Sequence, residues 1–254
     1  MGTENHWDRE AENWIRWART PGFDSYWYYR QFFFDEIVPS PGRRTLEIGC
    51  GEGRVTRDLA ERGHHVIGLD ASFALVRHAM DGGANRRYLT GNASRLPFPD
   101  ESFSLVVGYN SLMNMDDMPA AVAEASRVLK PEGNLAACIT HPIADAGRFN
   151  SGGPESPFVI TGSYLGERRQ FDQIFHPGGL EMHFRGWCYP LESYARALED
   201  AGFAIERLRE PSISDEAVSR FGESWQRWRR MPMFFMFRAF KVAPRRAKSK
   251  VSMG

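Results

Sequence analysis

Arg44-Thr45-Leu46-Glu47-Ile48-Gly49-Cys50-Gly51-Glu52-Gly53 is the stretch that decides how this chain folds. Thr45 to Ile48 alternates polar and apolar side chains, as a short strand does. Three glycines in five positions then break it. Glycine takes left-handed backbone angles without steric cost, so the chain turns sharply there and leaves its backbone open to close approach. Residues 54–62 follow with helical spacing, Val55, Leu59 and Ala60 falling on one face. The next apolar run, 65–69, reads as a second strand and ends at Asp70.

A strand, a glycine turn and a helix are the first half of a nucleotide-binding βαβ unit, and Asp70 is placed to accept hydrogen bonds from both hydroxyls of a ribose. The dinucleotide fingerprint spaces its glycines G-x-G-x-x-G, with an acid about 20 residues further on. Here the spacing is E-x-G-x-G-x-G over 47–53, and position 54 is Arg. This resembles motif I of the class I S-adenosylmethionine-dependent methyltransferases. The resemblance implies S-adenosylmethionine as cofactor, with Glu47, Gly49, Cys50, Gly51, Gly53, Asp70 and its neighbour Ala71 around it. It also implies a Rossmann-like, seven-stranded, mostly parallel α/β sheet with helices on both faces.

Two later stretches carry the same resemblance. Residues 91–103, GNASRLPFPDESF, are similar to the family's G-D-A-x-x-L-P-F-x-D-x-S-F-D run, which makes Asn92 and Ala93 candidate adenine contacts. Asn92 stands where the family has an acid, and its amide oxygen can still accept from an amino group. Ser104 likewise replaces an acid. Residues 127–133, RVLKPEG, are similar to an R-V-L-K-P-G-G turn, with Glu132 in place of the first glycine. Residues 105–108 form a fourth strand, and Tyr109 and Asn110 lie at its carboxyl end, the edge where open α/β sheets bind ligands.

The whole chain has 254 residues, 42% hydrophobic and 25% charged, with zero formal net charge. That size suits one decorated domain, and neutral charge offers nucleic acid no global attraction. Cys50, Cys138 and Cys188 are too widely spaced for a disulfide framework or a zinc site. No run approaches the ~20 apolar residues of a membrane span. A cytoplasmic protein acting on a small molecule, as monomer or homodimer and without a metal, is expected.

The aromatic residues concentrate outside the core motif. Residues 7–17 read as one helix and 23–38 as a second, capped by Asp24 or Ser25; together 1–42 form an expected N-terminal helical lid. On the second helix Phe33, Phe34 and Ile37 read as core. Tyr26, Tyr28 and Tyr29 are either further core or a cover over a ligand. Residues 43–142 are the binding core, and 143–187 an insertion too long for a simple crossover. Within it 159–164 and 181–185 alternate like a pair of strands. Insertions at this sheet edge build acceptor pockets, which brings in Met113, Tyr164 and His183 as candidate acceptor contacts beside Tyr26 and Tyr29. Residues 188–243 complete the sheet, with a helix over 191–201, a strand over 203–208, a helix over 214–229 and a closing antiparallel strand over 233–242. A frayed tail, 244–254, follows.

Methyl transfer from a sulfonium is an in-line displacement at carbon. The protein's main task is to align donor and acceptor, and a hydroxyl acceptor also needs a base. His141, at the carboxyl end of the fifth strand, is the candidate base; its other reading is a strand cap. His64 and His65 flank a turn and are expected to be exposed. An aromatic or apolar small metabolite, as in secondary metabolism, is the expected acceptor. The alternative is a protein of this fold that holds the cofactor for a different reaction or to bind a partner.

Overall fold

The computed structural model describes residues 5–82, 87–161, 163–166 and 168–242. Two short helices, α1 (His6–Arg9) and α2 (Ala11–Arg19), replace the single N-terminal helix expected, with a break at Glu10. The third, α3 (Tyr26–Phe32), runs into a π-helical turn at Phe33–Ile37. Asp24 caps α3, its carboxylate accepting from the Tyr26 amide at 2.8 Å.

The core then alternates strand and helix: β1 (Arg44–Ile48), α4 (Arg54–Glu61), β2 (His65–Asp70), α5 (Phe73–Asp81), β3 (Arg87–Thr90), β4 (Phe103–Tyr109), α6 (Met118–Val128) and β5 (Leu129–Thr140). An insertion follows as two hairpins, β6 (Gly147–Phe149) with β7 (Phe158–Ile160), and β8 (Arg169–Phe175) with β9 (Met182–Cys188). The chain re-enters the core through α7 (Leu191–Asp200), β10 (Phe203–Arg209), α8 (Asp215–Phe221) and β11 (Phe234–Lys241).

Seven strands form one sheet in the order β10-β11-β5-β4-β1-β2-β3. Neighbours from β3 to β5 are parallel; β11 runs antiparallel between β5 and β10. The direction of the chain reverses between β1 and β4, so the ligand edge lies at their carboxyl ends.

Alternation along the central strands builds two cores. Val106, Leu135, Ala137, Ile139, Phe235 and Phe237 pack on one face under α6 and α7. Leu105, Val107, Tyr109, Ala136, Cys138 and Met236 pack on the other, under α3, the π turn and α4. Phe33, Phe34 and Ile37 are buried there, as their spacing predicts.

Three expectations need correction. The strands read at 159–164 and 181–185 do not pair with each other; each finds a nearer antiparallel partner, because hairpin closure over short loops precedes longer-range pairing. The helix read over 214–229 stops at Phe221, where Gly222 takes φ 115°, and resumes as a 3-10 helix over Glu223–Arg229. His64 is buried rather than exposed: its ring lies 3.5 Å from the Thr45 hydroxyl, and burial lowers its pKa. β5 passes through Glu132 at φ 61°, the angle that the resemblance's glycine would adopt freely. The tail 244–254, with its basic residues, lies outside the described residues.

Candidate active site

The glycine turn and the second strand are tied together before any ligand arrives. The Gly49 and Cys50 amides both donate to the Leu69 carbonyl, at 2.7 and 3.0 Å. The Gly51 amide donates to Asp70 Oδ2 at 2.8 Å, and the Ser72 amide to Oδ1 at 2.8 Å. Burial raises the Asp70 pKa, against these hydrogen bonds. Ala71 follows on the exposed side. A carboxylate has about four lone-pair sites, so Asp70 retains acceptor capacity on the ligand side.

The three glycines have different neighbours. A Cβ at Gly49 would lie 2.4 Å from the Ser111 Cβ, and one at Gly53 would lie 2.6 Å from the Tyr88 hydroxyl. One at Gly51 would meet only the Trp14 indole nitrogen, at 3.1 Å. Gly51 is therefore the turn position that a ligand can approach, and α2 covers it. All three have positive φ, between 53° and 86°.

Other candidates take specific places. Cys50 turns its thiol into a small core with Val76, Ala79 and Tyr88, where burial pushes its pKa up, so only its backbone can face a ligand. Glu47 is buried; its carboxyl accepts from the Thr56 hydroxyl, and burial pushes its pKa up to about 8. Burial thus opposes a negative charge on Glu47. Asn92 Oδ1 accepts from the Ser94 amide at 2.8 Å, leaving one lone pair for an adenine amino group. Ala93 is buried against the first core.

Strand alternation moves Tyr109 away from the ligand edge. Its ring packs edge-on to Tyr26 and Phe33, with centroids 5.2 and 4.9 Å apart. Asn110 does occupy the edge, at φ 50°, with its carbonyl accepting from Asn114 Nδ2 at 3.0 Å. Next to it Ser111 was legible only as part of a loop. Its hydroxyl is buried without a hydrogen-bond partner among the described residues, between Gly49 and Gly108.

The N-terminal helices roof this edge. Asp8 accepts from the Ser72 hydroxyl and the Ala74 amide, at 2.7 and 3.1 Å, clamping α1 onto the start of α5. Arg54 lies over the Trp14 and Tyr26 rings and pairs with Asp24 at 2.6 Å. Glu52, itself buried, is held by Arg19 at 3.2 Å and Arg57 at 2.7 Å. Trp14 and Trp17 both meet Phe184 of β9 edge-on, and His6 bonds the His183 carbonyl at 2.9 Å.

Four expected acceptor or catalytic contacts are corrected by this packing. Tyr26 is buried with its hydroxyl on Asp58, and Tyr29 is buried against Phe234, so these two are core. His183 sits in the hairpin, its Nε2 2.6 Å from Asp172, facing the lid. His141 Nδ1 accepts from the Ile143 amide at 3.1 Å, which puts the proton on Nε2, 2.8 Å from Glu210. Both nitrogens are used, and burial lowers the ring's pKa. A base needs a free lone pair at the acceptor; both His141 nitrogens are engaged here, the bonding of a strand cap. Met113 stays at the edge, half-buried in a 3-10 turn (Leu112–Asn114), with its carbonyl 3.0 Å from a Cβ built at Gly186. Tyr164 lines a cleft at the end of β5, with its hydroxyl accepting from the Leu191 amide at 3.2 Å.

No group of three or more His, Cys, Asp or Glu among the described residues is placed to hold a metal, and no helix among them is long and apolar enough to cross a membrane.

Residues 46–137, the span that carries this turn, match the family model described as a methyltransferase domain. Among curated proteins, aklanonic acid methyltransferase DauC of Streptomyces sp. (strain C5) is 31% identical over 184 residues, covering 69% of this chain and 80% of that protein. Demethylmenaquinone methyltransferase of Renibacterium salmoninarum is 31% identical over 115 residues, 45% of this chain and 48% of that protein. The chain spans about half the length of the demethylmenaquinone methyltransferases it matches. Among solved structures, an S-adenosylmethionine-dependent methyltransferase from Mesorhizobium loti superposes with a TM-score of 0.65 at 24% identity, over 85% of this chain and 98% of that one, and shares the fold. Turn, carboxylate, strand order and this similarity lead to one assignment: the chain belongs to the class I S-adenosylmethionine-dependent methyltransferases.

Proposed function

We propose that this protein transfers a methyl group from S-adenosylmethionine to a small, aromatic or apolar metabolite. The observation that carries the reading is the unit formed by Gly51 and Asp70, with its amide-to-carboxylate bond of 2.8 Å under an aromatic roof. The residues present fit the cofactor. Gly51 has no side chain to obstruct it, Asp70 retains lone pairs for ribose hydroxyls, and the orphan Ser111 hydroxyl offers a further polar contact. When bound, the cofactor supplies an electrophilic methyl on a cationic sulfur.

The chain's own contribution is alignment and exclusion of water. Trp14, Trp17 and Phe184 close the space over the glycine turn. Burial disfavours the charged form of Glu47, and an approaching cation favours it. Demethylmenaquinone and aklanonic acid, named in the relatives' descriptions, support a small-molecule acceptor. With both His141 nitrogens engaged, transfer to an unprotonated nitrogen, or to an oxygen or carbon that ionises without that histidine, is favoured over transfer relying on it.

Calorimetry of the full chain with S-adenosylmethionine, S-adenosylhomocysteine and NAD is the test. Micromolar binding of both adenosyl ligands and none of NAD is expected. Absence of adenosyl binding would move the alternative, a partner-binding role for the same fold, to first place.

A further inference from the structure

The roof over the donor site is fastened on both sides of Asp70. On one side the Trp14 indole nitrogen lies 3.1 Å from the position of a Cβ at Gly51, whose amide donates to Asp70 Oδ2 at 2.8 Å. On the other side Asp8 Oδ1 accepts from the Ser72 hydroxyl at 2.7 Å and the Ala74 amide at 3.1 Å. The Ser72 amide in turn donates to Asp70 Oδ1 at 2.8 Å. Trp7 and Trp14, with ring centroids 5.8 Å apart, complete a ring of contacts around the carboxylate. Atoms in contact stand about 3.5–4.0 Å apart, so a ligand layer between Gly51 and the indole needs about twice that. The indole stands in the first contact layer instead.

The two ends of this roof are held differently. The end of α2 is anchored: Ala18 is buried, and its carbonyl accepts from Trp27 Nε1 at 3.1 Å and from Arg54 at 3.4 Å. α1 is a single turn without a buried residue, set off from α2 by the break at Glu10. Among the described residues its hydrogen bonds to the core all pass through Asp8; His6 instead bonds the His183 carbonyl of the β8–β9 hairpin at 2.9 Å. Ser72 is a fixed partner, since it is fully buried and caps α5, its hydroxyl accepting from the Leu75 amide at 3.1 Å. Anchored at one end and bonded to the core by one side chain at the other, the segment is built to swing.

We propose that α1 and the first turns of α2 are a gate, that S-adenosylmethionine enters and leaves when this gate lifts Trp14 off Gly51, and that Asp8 is its latch. This deepens the donor half of the reading above and rests on it; the acceptor does not enter. A latch that closes alike over the empty and the filled site slows entry and exit together. Its loss speeds both, and the affinity, which is their ratio, changes less. A carboxylate that touched the ligand would behave otherwise: its loss would raise the exit rate alone and weaken binding to match.

Surface plasmon resonance of S-adenosylhomocysteine on the tethered full chain reads both rate constants. Asp8→Ala should raise each by at least fivefold, with Kd within threefold of wild type. Asp8→Asn, which keeps an oxygen for the Ser72 hydroxyl and the Ala74 amide, should lie nearer wild type in both rates. Arg9→Gln, at an exposed position of the same helix, should change neither. Unchanged rates in Asp8→Ala, or a rise in one rate constant alone, overturns the gate. Wild-type binding with that outcome leaves the methyltransferase reading intact, whereas no binding of S-adenosylhomocysteine to the wild-type chain sinks the donor reading and the gate with it.

Discussion

The Gly51 amide donates to Asp70 Oδ2 at 2.8 Å, so the carboxylate that would hold a ribose also holds the turn that would hold the rest of the cofactor. One side chain serves both strands of the βαβ unit.

Asp70→Ala should therefore weaken S-adenosylmethionine binding by about tenfold or more, since hydrogen bonds to a charged group contribute roughly 1.5–3 kcal/mol. It should also lower the melting temperature without ligand, because the Gly51 and Ser72 amides lose their acceptor. Calorimetry and a thermal melt read the two effects separately. Unchanged affinity would remove Asp70 from the cofactor site.

Trp14 stands over the ligand-facing glycine and against Arg54. Cofactor binding should change its surroundings and hence tryptophan fluorescence. In Trp14→Phe that change should shrink to what Trp17 contributes, while the variant still binds. A full signal in the variant would place the ligand away from the roof.

His141→Ala should act on stability, not on chemistry. Losing the Ile143 amide's acceptor and the Glu210 contact should cost about 1–2 kcal/mol, with donor affinity within twofold of wild type. His141→Asn, which offers an amide oxygen to the Ile143 amide, should recover part of the loss. Turnover lost by more than tenfold in a fully folded His141→Asn protein would restore the histidine as a base.

Glu47 gives a pH signature. Its folded pKa, about 8, lies above the ordinary value of 4.5. Between those values the native state binds more protons than the unfolded state. Stability from this group is complete below pH 4.5 and falls as pH rises, by up to about 1.4 kcal/mol per pH unit. Glu47→Gln, which can still accept from Thr56, should flatten that fall between pH 5 and 8. Parallel curves for both proteins in ligand-free denaturation would show that Glu47 is ionised throughout.

Gly49→Ala should unfold the turn, since the new Cβ would sit 2.4 Å from the Ser111 Cβ. Ser111→Gly in the same chain should recover stability in part, leaving the cost of φ 73° at an alanine. No recovery in a urea melt would mean that the backbone angle alone sets the loss.

Much of the donor half was legible because its signals are local. Glycines needing positive φ, an acid ending β2 and alternating strands each read out over a few residues. Tyr109 was misplaced because carboxyl-end position was considered without strand parity, and parity turns its ring toward Tyr26 and Phe33. His141 looked available because a sequence does not show that Ile143 and Glu210 take its nitrogens. The cleft around Arg169 joins residues from 142 to 190, and no periodicity reports on contacts across an insertion.

The β8–β9 hairpin touches both the roof and the cleft at the end of β5. Phe184, near its turn, packs on the roof over Gly51, and Cys188, at its base, lines the cleft with Arg169. Four residues of strand, about 13 Å, separate the two contacts on one ladder that is paired from Arg169 to Phe175. Such a beam joins the roof to the base of the insertion. For the proposed transfer the expected outcome is kinetic: donor adds before acceptor, read as product inhibition by S-adenosylhomocysteine that is competitive against the donor and noncompetitive against the acceptor.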